Sequence, residues 1–388
     1  MKKRVLGIVV LIISMISSTL LVCIKSEAKE PYKIGIVNNS TGFMGIVGIP
    51  QDAGSRLATE IINKEGGIKG HPLETVIYDG ESKPEVCLRM ARKLVERDRV
   101  DVMISGNFSP GIAVIVPVSL EYKIPTLKYG TYVVDAVKEP WMFSMGTDGH
   151  FVGRGLVDYL HRKGYKTLAF IQIQDAFGEA WLKGMRIALT KYPDMKELGI
   201  EKFMPGDTDI TPQISKLMAL KPDVIATCTA GTATIMAART AYKLGFKGKV
   251  SSNHADTNLG FARAVQDLPT GYLLIPQRKG GVPILVDDMP DGPVKDNNLK
   301  IFKEWKAKFG NLENVEMGAQ GYEFVDIIAR AFKEVGKEKA KVKEWLETKK
   351  ILTTSGYLQM SPTDHLGSDP ATWVGVVTTE GGKFVLPK

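Results

Sequence analysis

From Lys33 onward the chain alternates short apolar runs with longer amphipathic stretches. Residues 33–38 (KIGIVN) are a β-branched run bounded by Asn, Ser, Thr and Gly, which predicts a buried strand. A Gly-containing loop over 39–50 leads into a helix with Leu57, Ala58, Ile61 and Ile62 on one face, stopped by Gly66-Gly67. A strand over 73–78 ends at Asp79, and Pro84 opens a helix that runs to about Arg97. A strand over 100–104, a helix over 111–121 and a strand over 126–129 complete this series. A second series follows, with helices over 151–163, 178–192, 211–219 and 233–244. Its strands are predicted over 167–172, near Met204, and over 224–227, 250–252 and 273–275. Strands alternating with helices of about 10–15 residues predict parallel β-α-β units, and two such series predict two doubly wound α/β lobes. A Pro/Gly/Asp/Asn loop over 288–298 precedes helices over 299–309, near 318–335 and over 339–349. The chain then reads as a hairpin of 373–377 and 383–386 around Glu380-Gly381-Gly382. A late hairpin after helices implies that the chain crosses between lobes more than once.

Composition adds limits to this picture. With 388 residues, 44% hydrophobic and 24% charged, the chain is globular and long enough for two domains. Its 39 Gly and 20 Pro follow no strict period, which excludes a collagen-like or low-complexity chain. Of the net charge of +8, +3 resides in the first 28 residues. The mild remainder contains no long Lys/Arg run, and no nucleic-acid partner is expected.

Residues 1–28 read as a secretory signal. Lys2, Lys3 and Arg4 precede an apolar run over 5–22, and Ser26-Glu27-Ala28 offers a small-x-small cleavage site. An uncleaved membrane anchor is the alternative, because the run is about long enough to span a bilayer. Lipidation at Cys23 is disfavoured, since Val22 stands where a lipobox wants a small residue. No later run reaches the roughly 18 apolar residues of a membrane span, so a soluble, exported, periplasmic protein is expected. Cys87 falls on the apolar stripe of a helix and Cys228 at a strand end, and no bridge between them is expected.

Catalytic signals are weak. Gly42, Gly45 and Gly48 follow the first strand, but their spacing and the length of their loop do not fit a dinucleotide turn. No Walker sequence, nucleophile elbow or zinc-protease motif occurs, and no Cys/His spacing suits a metal. Asp364-His365 has no accompanying nucleophile or metal cluster, and His71 and Asp79 read as turn residues. Neither an enzyme, a cofactor nor a metal is expected.

A combination of motifs is more informative. Asn63-Lys64-Glu65-Gly66-Gly67-Ile68-Lys69-Gly70-His71-Pro72-Leu73 follows the first helix and leads into a strand ending at Asp79. Ile104-Ser105-Gly106, Ser109, Ile124-Pro125-Thr126, Asp175-Ala176-Phe177-Gly178 and Gly321-Tyr322 with Asp326 follow in order. This resembles the branched-chain amino-acid-binding family of solute-binding proteins, the type I extracytoplasmic receptors that feed ABC importers, over nearly all of residues 32–388. The resemblance implies two doubly wound lobes joined by three crossovers, 32–147 with 276–355 and 148–275 with 356–388. It also implies an amino acid or a small organic carboxylate closed between the lobes, and a membrane permease as partner. A sensor docking on a membrane receptor would use the same closure, and a monomer is the default for a protein that docks and releases.

Site residues carried over from the resemblance are Ser109, before a helix, and Gly130 and Thr131, after the fourth strand. Phe177 stands where the family often has Tyr, and Ala230 lies after the strand over 224–227. The family's amino-acid binders set an acidic residue against the ligand ammonium in the loop that 253–256 matches. Here the choice is His254 or Asp256. Asp256 facing the ligand favours an amino acid; His254 or Asn253 there favours a plain aliphatic or aromatic carboxylate, because a buried ammonium without a carboxylate partner is costly. Phe43, Phe108, Tyr129, Tyr132 and Phe177 cluster near predicted strand ends and offer ring surfaces for an aromatic ligand.

Overall fold

The computed structural model describes residues 29–130, 132–145, 149–367 and 369–388; the export signal expected over 1–28 and the site residue Thr131 lie outside the described residues. The first series forms β1 (Tyr32–Asn38), β2 (Leu73–Asp79), β3 (Val102–Ser105), β4 (Thr126–Lys128) and β5 (Met142–Ser144). The second forms β6 (Thr167–Ile173), β7 (Lys196–Phe203), β8 (Val224–Cys228), β9 (Lys249–Ser251) and β10 (Leu273–Arg278). A short antiparallel pair, β11 (Lys350–Leu352) with β12 (Tyr357–Gln359), precedes the hairpin of β13 (Val374–Glu380) and β14 (Lys383–Val385).

Two sheets result. The first has the order β2-β1-β3-β4-β5, all parallel. In the second, β7-β6-β8-β9-β10 repeats that order with parallel strands, and β13 and β14 extend it antiparallel beyond β10. Each parallel set therefore reverses winding once, between β1 and β3 in the first and between β6 and β8 in the second. The chain leaves the first sheet at the C-terminal end of β5 and leaves the second at the C-terminal end of β10.

The signature after the first helix is a clamp. Asn63 Nδ2 donates to the Leu73 carbonyl at 2.8 Å, and Leu73 N–H donates back to Asn63 Oδ1 at 2.7 Å. Gly67 turns the chain at φ 72°, where a Cβ would sit 2.1 Å from the His71 carbonyl oxygen. This run sets the register of β2 on β1 and does no chemistry.

Several boundaries differ from the sequence reading. The loop over 39–50 is shorter than expected, because a helix already begins at Gly45 and runs to Lys64. Its start is fixed by close packing: a Cβ on Gly48 would lie 2.0 Å from the Asn39 carbonyl oxygen. The helix Pro293–Phe309 starts inside the expected 288–298 loop, with Pro293 in its first turn, where the missing N–H costs nothing. β7 replaces a short strand near Met204; its charged, half-exposed edge sequence KELGIEKF hides the apolar signal. The helix Val315–Val335 packs on Gly45–Lys64 at backbone contact, since a Cβ on Gly54 would be 1.8 Å from the Gly318 carbonyl oxygen.

The junction between the sheets is polar and buried. Arg278, at the end of β10, donates to Glu323 at 2.8 Å and to Ser355 Oγ at 3.2 Å, and lies over the Trp373 ring. Gly280 N–H donates to Ser355 Oγ, Gly281 N–H to Asn298 Oδ1, and Asn298 Nδ2 to the Thr354 carbonyl. The segment after β12 packs on the first sheet: Ser144 N–H donates to the His365 carbonyl at 3.0 Å, and the His365 ring stacks on Phe143. The segment at His365 thus touches the first sheet before the chain enters β13 of the second. His365 itself is buried between the Met142 carbonyl and Glu347, a packing role that leaves no acid–base pair with Asp364.

Candidate functional site

In doubly wound sheets, ligands settle outside the C-terminal strand ends where the winding reverses, beside helix N-termini with unsatisfied N–H groups. In the first sheet these ends carry Asn38-Asn39, Ser105 to Ser109, and Tyr129-Gly130. Ser109 begins the helix Ser109–Glu121, and Phe108, immediately before it, is half-buried. Asn107 holds the approach, donating to Gln51 Oε1 at 3.0 Å and accepting from Asn39. Gly130 takes φ 70°, and a Cβ there would be 2.9 Å from the Asn107 carbonyl oxygen, so only glycine lets the two loops meet without strain. The Phe43 ring is 71% exposed and meets the edge of Phe108 at 5.5 Å, forming an apolar lip. Asp79 is occupied in ordering that lip, accepting the Ser40, Thr41 and Glu81 N–H groups.

In the second sheet the matching ends carry Asp175 to Gly178, Thr229 to Gly231, and Ser252 to Asp256. Asp175 caps the helix Ala176–Leu189 by accepting from Gly178 N–H at 2.8 Å. Phe177 then lies parallel to Trp181 with ring centroids 6.5 Å apart, and the His254 ring stands 5.9 Å from Trp181. Ala230 and His254 are half-buried.

Asp256 points elsewhere. It is fully buried, accepts the Gly231 N–H at 2.7 Å, and also takes hydrogen bonds from Ser252 Oγ and Asn253 Nδ2. Burial pushes its carboxyl up to about 7, against the pull of the Ser252, Gly231 and Thr234 hydrogen bonds. Of the two sequence alternatives, the structure leaves His254 beside the aromatic rings and turns Asp256 inward to hold the Gly231 turn. Tyr129 also leaves the ligand-facing set: its ring is fully buried and stacked on Phe324 at 4.2 Å. Tyr132 anchors its own loop through Glu139.

Sequence reasoning missed Trp181, although its place four residues after Phe177 on one helix puts both rings on one face. It also missed Lys128, a lysine inside an apolar strand. A depression of about 420 Å3 lined by Gln172, Glu179, Lys183, Arg186 and Lys202 lies elsewhere, on the flank bearing edge strand β7. Arg186 there is already paired with Glu197. Among the described residues, no cluster of His, Cys, Asp and Glu could hold a metal, and no helix is long and apolar enough to cross a membrane.

The family model described as "Periplasmic binding protein" matches residues 31–383. The chain belongs to the periplasmic binding protein family. Proteins of this family bind small-molecule ligands such as amino acids and work with ABC permeases; they are binding proteins rather than enzymes. The chain is similar to the leucine-, isoleucine-, valine-, threonine- and alanine-binding protein of Pseudomonas aeruginosa, with 28% identity over 213 residues, 50% of this chain and 52% of that protein. It is 25% identical over 205 residues to a Leu/Ile/Val-binding protein homolog of Brucella melitensis, covering 52% of this chain and 55% of that one. In both matches the chain spans about half the length of the curated relative. An extracellular ligand-binding receptor from Rhodopseudomonas palustris superposes with a TM-score of 0.79 at 22% identity, over 92% of this chain and 99% of that one. The branched-chain amino acid transporter substrate binding protein LivJ of Streptococcus pneumoniae, solved with isoleucine, does so with 0.74 at 18% identity, over 92% and 98%. The type I periplasmic binding fold and the branched-chain amino-acid-binding resemblance read from the sequence both stand.

Proposed function

We propose that this periplasmic binding protein is the exported receptor of an ABC importer, and that it captures a small organic carboxylate with an apolar or aromatic tail. The carboxylate would sit at Ser109, Gly130 and Thr131, and the tail between the Phe43–Phe108 lip and the Phe177, Trp181 and His254 rings. The observation that carries this reading is the inward turn of Asp256. With its oxygens on Gly231, Ser252 and Asn253, it has no open side for a ligand ammonium, and His254 occupies the position beside the rings. Ligand binding draws the lobes together only as far as the ligand prefers the closed form, which is the form a membrane permease would recognise. A monomer fits this cycle.

The relatives named for leucine, isoleucine and valine favour a second reading, capture of a branched-chain amino acid. A thermal-shift screen separates the two. A native-state ligand at about 100 times its dissociation constant stabilises by about 2.7 kcal/mol, several degrees in melting temperature. Shifts with aliphatic or aromatic acids and none with leucine, isoleucine or valine support the first reading. Shifts confined to those amino acids sink it in favour of the second.

A further inference from the structure

The depression beside edge strand β7 is a groove between the second sheet and the helix Ala176–Leu189. Glu179, Lys183 and Arg186 follow one another at helical spacing, so they share the stripe of that helix that lines it. Gln172 on β6 and Lys202 on β7 are register partners and stand side by side on the facing sheet. The volume of about 420 Å3 falls within the range of small-molecule sites, about 300–1,000 Å3. Gln172 is 2% exposed, and among the described residues its Oε1 has no hydrogen-bond partner, which is costly for a buried carboxamide. Lys183 and Lys202 are exposed, and among the described residues neither enters an ion pair, although Glu179 stands one turn before Lys183. Arg186, by contrast, is neutralised by Glu197 in a two-point contact at 2.9 and 2.6 Å. The groove thus joins two ammonium groups to a carboxamide that can both donate and accept.

From this arrangement we infer that the groove is a second binding site for a small hydroxylated anion of the sugar-phosphate or sugar-acid class. The two ammonium groups hold the anionic end as point charges, and a ligand hydroxyl donates to the orphaned Gln172 Oε1. Ile187, 45% exposed, gives the groove an apolar edge for the carbon skeleton. The site is separate from the one proposed around Ser109 and His254 and shares no residue with it, so it stands or falls independently of the carboxylate-capture reading.

The test titrates the purified chain by calorimetry with glucose 6-phosphate, gluconate and glucose, which share one carbon skeleton and differ in charge. At least one of the two anions should bind about tenfold or more tighter than glucose, and its affinity should fall as salt is raised. Lys183→Met combined with Lys202→Met should weaken that anion about tenfold or more, and Gln172→Leu should weaken it about fivefold. Lys247→Met, which removes an exposed lysine ahead of β9, should leave it within about twofold. Binding of neither anion, or binding of glucose just as tightly, overturns the inference. An anion affinity that survives the double lysine variant overturns it too, because the anion then sits elsewhere on the chain. An equal loss from Lys247→Met overturns it as well, because net charge alone then accounts for the attraction. Both groove lysines are exposed, so the double variant keeps the comparison open even if Gln172→Leu does not fold.

Discussion

The Arg278 guanidinium donates to Glu323 at 2.8 Å across the junction of the two sheets, with both side chains 2% exposed. Arg278 closes the last parallel strand of the second sheet, and Glu323 lies on the helix that backs the first. The same guanidinium holds Ser355, so two of the connecting segments are tied to one charge pair.

Breaking that pair leaves one charge buried without compensation. Arg278→Met or Glu323→Gln should each cost about 3–5 kcal/mol in urea unfolding, and the double replacement by Met and Leu should recover most of the loss. A loss below about 1 kcal/mol for both single variants would show that the pair is not held as a buried unit.

Asp256 makes stability pH-dependent. Its carboxyl ionises near 3.8 when unprotected and near 7 in the folded chain, so between those values only the native state keeps the proton. Its contribution is complete below the lower value and is lost as pH rises through about 7, up to about 4 kcal/mol in all. Urea midpoints at about pH 5 and about pH 8 should show the wild type losing stability relative to Asp256→Asn. A pH-independent difference between the two would refute the shift.

Gly130→Ala combines a left-handed backbone with a Cβ 2.9 Å from the Asn107 carbonyl oxygen. The variant should lose about 1–2 kcal/mol of stability. Its ligand affinity should fall by more than the melting temperature alone accounts for, because the strained loop is the one assigned to the carboxylate. Unaltered affinity and melting temperature would mean that the loop tolerates the methyl group.

The two rings of the helix Ala176–Leu189 should separate in their effects. Trp181 is 1% exposed, so Trp181→Ala should cost about 3–5 kcal/mol in chemical denaturation. Phe177 is half-buried, so Phe177→Ala should leave the fold near wild type and weaken aromatic acids about tenfold or more in calorimetry. Undiminished binding by the Phe177 variant would remove that ring from the site.

Much of this architecture was legible because its causes are local. The strand over 33–38, the turn at Gly66-Gly67 and the clamp from Asn63 to Leu73 depend on residues close together in the chain. Alternating runs of that kind determine a doubly wound α/β fold, and the motifs they carry identify the family. The starts of the helices at Gly45 and Pro293 were not legible, because they depend on contacts with Asn39 and on the side-chain partners of Asn298.

The sequence by itself determined the winding of the chain, the loops that reach the strand ends and the presence of both His254 and Asp256 in one of them. Which of the two faces the rings was decided only by tertiary structure. The Gly231 turn, 25 residues earlier, presents an N–H that draws the Asp256 carboxyl inward. Ser105, Lys128 and Ser144 stand in a row only through the register of three separate strands. Propensity and periodicity act over a few residues, whereas a buried charge or hydroxyl is placed by whatever distant group satisfies it.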